Sequence, residues 1–236
     1  MKKLKNYLRV ITIIYFIWIL FGGNSKYSYM VWNIILAWVP LEISTFIYTI
    51  KDRSLNYKWV KILIPAMWVL WMLFYPNAPY VITDFIHISS SKFHLANPNY
   101  IPYGTEPRII YNDNFKIWLG FINIGVGVWI GYMLGVVSLY INQEMIKVKF
   151  SKLTSWLFVI GVSLLSGFAI YLGRFIRWNS WDVIFNPSNI ISILVKDVHF
   201  KAVNFTILFG TAIFFIYIIN YVIIKEFMLE KGKGNG

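Results

Sequence analysis

The chain has 236 residues, of which 58% are hydrophobic, 19% aromatic and only 14% charged, with a mean hydropathy of +0.60; a soluble domain carries about a quarter charged residues, so this is an integral membrane protein. It contains no cysteine, which excludes disulfides, thiolate catalysis and Cys-ligated zinc or iron-sulfur centres. The net charge of +12 sits in short basic segments between apolar runs, a pattern of membrane topology rather than of nucleic-acid binding.

The amino terminus, MKKLKNYLR followed by the apolar run Val10 to Phe21, has the basic and apolar regions of a secretory signal. Gly22 to Ser25 offer no small-residue cleavage pattern, so a retained first helix is expected, with Arg9 snorkelling at its end. That first run is short for a full span; five more apolar runs follow, each near the roughly 20 residues a bilayer requires, giving six expected membrane-spanning helices at about residues 8–21, 29–50, 59–75, 115–141, 153–175 and 205–224. The fold class read from the sequence is all-α, a polytopic transmembrane helix bundle with short interfacial helices on the outer face. A single membrane domain over 1–224 and a disordered tail over 225–236 complete the expected organisation. Most of the 22 Lys and Arg residues fall on the side that holds both termini, although the loops of the other side are longer. Both termini are therefore expected in the cytoplasm.

Within the second helix, Glu42 follows Pro40 by two residues. A carboxylate inside an apolar run suggests a proton or cation relay; a hydrogen bond to a neighbouring helix or a wet inner vestibule would explain it as well. Asn33 and Asn123, near the outer ends of their helices, could line an outer cavity or bond across helices.

The most informative stretch is Phe74 to His87, FYPNAPYVITDFIH. Pro76 and Pro79 lack the N–H that a helix interior needs, so the third helix should stop near Tyr75 and a new one begin, with Asn77 or Ala78 at its cap. If Tyr80 to Ser89 is α-helical, Tyr80, Thr83, Asp84 and His87 share one face. An aspartate beside a histidine is a potential acid/base pair, because the carboxylate orients the imidazole and stabilises its charged form.

The outer connection 84–115, with Pro98, Pro102, Gly104 and Pro107, reads as an irregular lid or cover loop. Gly127, Gly131 and Gly135 on the fourth helix, and Ser163 and Gly167 on the fifth, recur every four residues and predict close helix packing. At the outer end of the fifth helix lies YLGRFIRWNSWD, Tyr171 to Asp182. Arg174 and Arg177, one helical turn apart, can present two guanidinium forks to a phosphate or carboxylate. The alternatives are interfacial anchoring to lipid headgroups, or an ion pair between Asp84 and one of these arginines that staples two outer segments. Trp178 and Trp181 read as headgroup-level belt residues. Beyond them, Asn186, Pro187 and Ser188 predict the start of a short surface helix over Asn189 to Val198.

His87, His94 and His199 are the three histidines. Asp84 and His87 could share a metal on one helical face, but no compact metal signature accompanies them, and no metal or other cofactor is assigned.

The segments PNAPYVITDFIH at 76–87, YLGRFIRWNSWD at 171–182 and WNIILAWVPL at 32–41 resemble the uncharacterised bacterial multi-pass membrane proteins of domain-of-unknown-function family 1361. The resemblance covers most of the chain from Trp32 onward. It implies a bacterial plasma-membrane protein in which Asn77, Tyr80, Asp84, His87, Arg174, Arg177, Trp178, Asn179 and Asp182 matter, and it implies an apolar residue where this chain has Glu42. The family brings no reaction with it.

The function expected from these residues is an outward-facing polar pocket for an anionic, lipid-linked cell-envelope molecule in contact with membrane lipids. Asp84 and His87 are the candidate catalytic pair; Arg174, Arg177, Asn77, Tyr80, Asn179 and Asp182 are the candidate binding residues. A small transporter or channel entered through the same pocket, with Glu42 deeper on the path, and an accessory or scaffold subunit are the rival readings. Oligomeric state is not legible from the sequence.

Overall fold

The computed structural model describes residues 2–22, 25–52, 57–178 and 200–233. Its elements are α1 (Lys2–Phe21), a 3-10 turn (Ser25–Tyr27), α2 (Ser28–Asp52), α3 (Lys58–Phe74), α4 (Asn77–Tyr80), a 3-10 helix (Val81–Ile88), strands β1 (His94–Ala96) and β2 (Ile109–Tyr111), α5 (Phe115–Lys149), α6 (Lys152–Tyr171), a π-helical segment (Leu172–Ile176) and α7 (Phe200–Lys233). Among the described residues, six helical stretches are long and apolar enough to cross a membrane, so the chain is an all-α polytopic membrane protein. The third of these stretches runs from Lys58 through the prolines to Ile88. The last helix continues to Lys233, past the limit at 224 read from the sequence.

The chain forms two compact units, Met1–Trp32 with Val81–Ile130, and Asn33–Tyr80 with Gly131–Gly236. In the first, α1 lies against the amino-terminal half of α5. Asn123 of α5 joins them: its backbone oxygen accepts from the Tyr15 hydroxyl at 2.9 Å and its side-chain oxygen from the Trp18 indole N–H at 2.7 Å. Asn123 is thereby a buried interhelical bridge, as expected where lipid offers no competing hydrogen bonds. Ile14, Ile17 and Leu20 on α1 remain exposed, which suits a lipid-facing surface.

This unit also holds the 84–115 connection, which contains a two-stranded antiparallel hairpin pairing His94 with Tyr111, Leu95 with Ile110 and Ala96 with Ile109. Two asparagines tie its ends. The Asn97 side-chain amide donates to the Pro107 carbonyl and that of Asn112 to the Lys92 carbonyl, both at 2.8 Å. Phe93 then packs edge-on against Trp118 and Phe121 of α5. The expected irregular cover loop is in part a pinned β-ribbon.

The second unit is built on α5. Among its buried polar residues, the donors follow one direction. The Ser44 hydroxyl donates to the Pro40 carbonyl at 2.8 Å, so the 2.8 Å bond between Ser44 and Ser138 must be donated by Ser138. Ser138 in turn accepts the Trp71 indole N–H at 2.8 Å, and Ser44 also accepts the Asn142 amide at 2.7 Å. Three helices, α2, α3 and α5, are thus joined by one hydroxyl pair. The Tyr132 hydroxyl donates to the Ile213 carbonyl of α7 at 3.1 Å.

Helices α6 and α7 pack backbone to backbone at Gly167. A methyl group there would press on the Thr206 carbonyl and come within 2.7 Å of the Gly210 nitrogen, so the small-residue spacing is a packing device. Glu42, by contrast, is exposed on α2.

Candidate functional site

In the second unit the site begins where α3 ends. The Tyr75 N–H still reaches the Trp71 carbonyl at 2.7 Å, and the Asn77 side-chain amide donates back to the Phe74 carbonyl at 3.0 Å. Asn77 therefore caps the helix that ends, satisfying a carbonyl of its last turn. The single turn Asn77–Tyr80 places Tyr80 half-buried beside the end of α6.

At that end the α-helix widens into the π-helical segment, a rare form that concentrates at functional sites. Arg174, in its middle, holds its guanidinium carbon 5.2 Å from the centre of the Tyr80 ring, a cation against an aromatic face. The close approach depends on Gly173, because a methyl group there would meet Tyr80 Cε2 at 3.1 Å.

Arg177 follows at φ 62°, a left-handed conformation uncommon for any residue but glycine. The Trp178 N–H closes the turn on the Leu172 carbonyl at 3.2 Å. Arg174 and Arg177 are consequently not adjacent on one regular helix face, as their spacing suggested. Arg174 is half-buried over Tyr80 and Arg177 is exposed where the helix has ended. Trp178 packs partly against the buried cluster of Tyr171, Leu172 and Ala202, which adds a core contact to its expected headgroup role.

In the first unit, Val81–Ile88 is a 3-10 helix of eight residues, not the α-helix expected, and long for its type. Residues three apart eclipse in this winding, so Asp84 and His87 lie in one row. Their side chains differ sharply in exposure, 3% for Asp84 and 46% for His87, with Nε2 to Oδ1 at 4.0 Å. That separation is longer than a hydrogen bond. The His87 ring instead meets Tyr29, with centroids 4.8 Å apart. Thr83 and Asp84 are buried while Phe85 and Ile86 are exposed. An intramembrane carboxylate turned inward with apolar residues turned outward is the arrangement that a lipid surround favours.

The structure brings Asn77, Tyr80, Arg174 and Arg177 to one end of the second unit, and Asp84 with His87 to one row of the first. Asn179, Asp182, Trp181, His199 and the expected helix over 189–198 lie outside the described residues. Among the described residues, no three potential metal ligands gather; His94 pairs with Tyr111 in the hairpin, ring centroids 5.1 Å apart. Two participants escaped the sequence reading. Tyr29 gave no signal, being one aromatic in an apolar run. Gly173 could have been noticed as the small residue beside Arg174.

No curated protein and no solved structure matches the chain. A family model described as "Protein of unknown function (DUF1361)" matches residues 32–216, a span that includes α3, α4, the 3-10 helix and the π-helical segment. The chain belongs to this family.

Proposed function

We propose that the protein binds an anionic, lipid-linked molecule of the cell envelope at the outer membrane boundary, with Arg174 and Arg177 as its anion clamp. The observation that carries the reading is the Arg174 guanidinium held over Tyr80 where the helix departs from α geometry. Contact with the ring holds the guanidinium at this end of the unit, and a guanidinium suits the forked contacts that phosphate and carboxylate accept. Arg177, exposed in its left-handed turn, supplies a second cation.

Asp84 and His87, which follow Tyr80 closely in the chain, are the protein's proton-transfer residues. Asn179 and Asp182, next in sequence to the clamp, join the binding residues on the same ground. The lysine and arginine bias places both termini in the cytoplasm of a bacterial plasma membrane and this site on the opposite side.

The test is native mass spectrometry of protein extracted gently from its own membrane, beside the Arg174→Gln, Arg177→Gln double variant. A lipid-linked anion other than the bulk phospholipids, carried by the parent and missing from the variant, is the expected result. Bulk phospholipids alone on both proteins would reduce the arginines to interfacial anchors.

A further inference from the structure

At the end of α3 away from Asn77–Tyr80, the second unit contains a cavity of about 560 Å³. Lys51 from the last turn of α2, Lys61 near the start of α3 and Lys149 from the last residue of α5 surround it, over a floor that includes Trp68, Phe158 and Phe150. We infer that this cavity is a binding site for an anionic phospholipid of the adjoining leaflet, with the lysines on its phosphate and the aromatic floor against its glycerol and upper acyl chain.

Three features support the assignment over solvated helix ends. Lys51 and Lys149 do suit the negative carboxyl ends of α2 and α5, but Lys61 stands near the positive amino end of α3, where a helix dipole disfavours a cation. Its presence beside the other two is better matched by an anion between them. Among the described residues no carboxylate lines the cavity; Glu144, on the last turns of α5, is committed to Lys147 through both oxygens, at 3.0 and 2.8 Å. The Lys51 ammonium also lies 5.9 Å from the centre of the Trp68 ring and that of Lys149 5.0 Å from the Phe150 ring, so charge and apolar wall are adjacent, as a headgroup joined to an acyl chain requires.

Size and position select a lipid rather than a free anion. The volume falls within the roughly 300–1,000 Å³ of sites that enclose drug-sized ligands, far more than a phosphate ion needs. The lysines sit at the ends of membrane-crossing helices, which is headgroup depth. Basic pockets between such helices are a recognised form of anionic lipid site. This inference is independent of the proposed clamp at Arg174.

The experiment is native mass spectrometry on delipidated protein titrated with phosphatidylglycerol, phosphatidylcholine or inorganic phosphate. Three proteins are compared: the parent, Lys51→Gln/Lys61→Gln/Lys149→Gln and the corresponding triple Arg variant. Phosphatidylglycerol should bind the parent and the triple Arg variant alike, at least about ten-fold more tightly than phosphatidylcholine, and the triple Gln variant should lose that preference. Circular dichroism confirms that the Gln protein is folded. If it is not, the triple Arg variant and the lipid preference of the parent decide. Equal binding of the two lipids by the parent, or a preference that survives in a folded triple Gln protein, would overturn the assignment. Displacement of the lipid by millimolar phosphate would overturn it in favour of a free-anion site.

Discussion

The Arg174 guanidinium carbon lies 5.2 Å from the centre of the Tyr80 ring, and the contact is made with the ring face. Tyr80→Phe keeps that face and Tyr80→Leu removes it. The co-purified anionic lipid should remain on the Phe variant and fall several-fold on the Leu variant, in keeping with the ~0.5–2 kcal/mol typical of such contacts. Native mass spectrometry reads the difference. Equal loss in both variants would move the role from the ring to the hydroxyl.

Asp84 and His87 should separate in a stability measurement, because their side chains are 3% and 46% exposed. Asp84→Leu deprives the buried groups around the carboxylate of their partner and should cost ~1–3 kcal/mol. His87→Gln should stay within ~0.5 kcal/mol of the parent, as substitutions at exposed positions do. Thermal unfolding in detergent provides the comparison. Similar losses for the two would contradict the inward placement of Asp84.

Ser138 is the junction of α2, α3 and α5 through Ser44 and Trp71. Ser138→Ala strands the indole N–H and removes a donor from Ser44, both in a site without water access. A loss of ~1–3 kcal/mol is expected. Ser155→Ala, whose hydroxyl donates only to the Lys152 carbonyl within its own helix, should cost less, and the reverse order would dissolve the junction.

Gly167→Val places two methyl groups where the Gly210 backbone already lies, with even a Cβ only 2.7 Å from its nitrogen. Separation of α6 from α7 should lower the stability by ~1–3 kcal/mol or more. Gly161→Val, on the same helix with nothing within 4 Å of an added Cβ, is the matched control. A melting temperature lowered only in the first variant is the expected outcome.

The six crossings were legible because the bilayer sets a length that a soluble core does not, and five of the apolar runs came near it. The stop after Phe74 was legible from Pro76 and Pro79, whose missing N–H groups act locally. The windings that shape the candidate site were not. Placing Asp84 and His87 by α-helical period assumes that winding, and nothing in VITDFIH announces a 3-10 helix; the spacing of Arg174 and Arg177 likewise hid a π-helical segment and a left-handed turn. The hairpin from His94 to Tyr111 escaped because three-residue strands leave almost no alternation to read, and their pairing rests on Asn97 and Asn112 contacts formed across the loop. Asn123 showed polarity in an apolar run, but its partners Tyr15 and Trp18 are more than a hundred residues away in sequence.

The central claim is that the Tyr80 and Arg174 neighbourhood recognises one class of lipid. Site-specific photo-crosslinking in the native membrane tests it most directly, with a benzophenone amino acid at Ile176, beside Arg174 in the π-helical segment, or at Phe215, exposed on α7. The adducts are identified by mass spectrometry. The account predicts a phosphate-bearing, lipid-linked anion enriched at Ile176 and absent at Phe215, with the enrichment lost in Arg174→Gln. The same mixture of bulk phospholipids at both positions would contradict it.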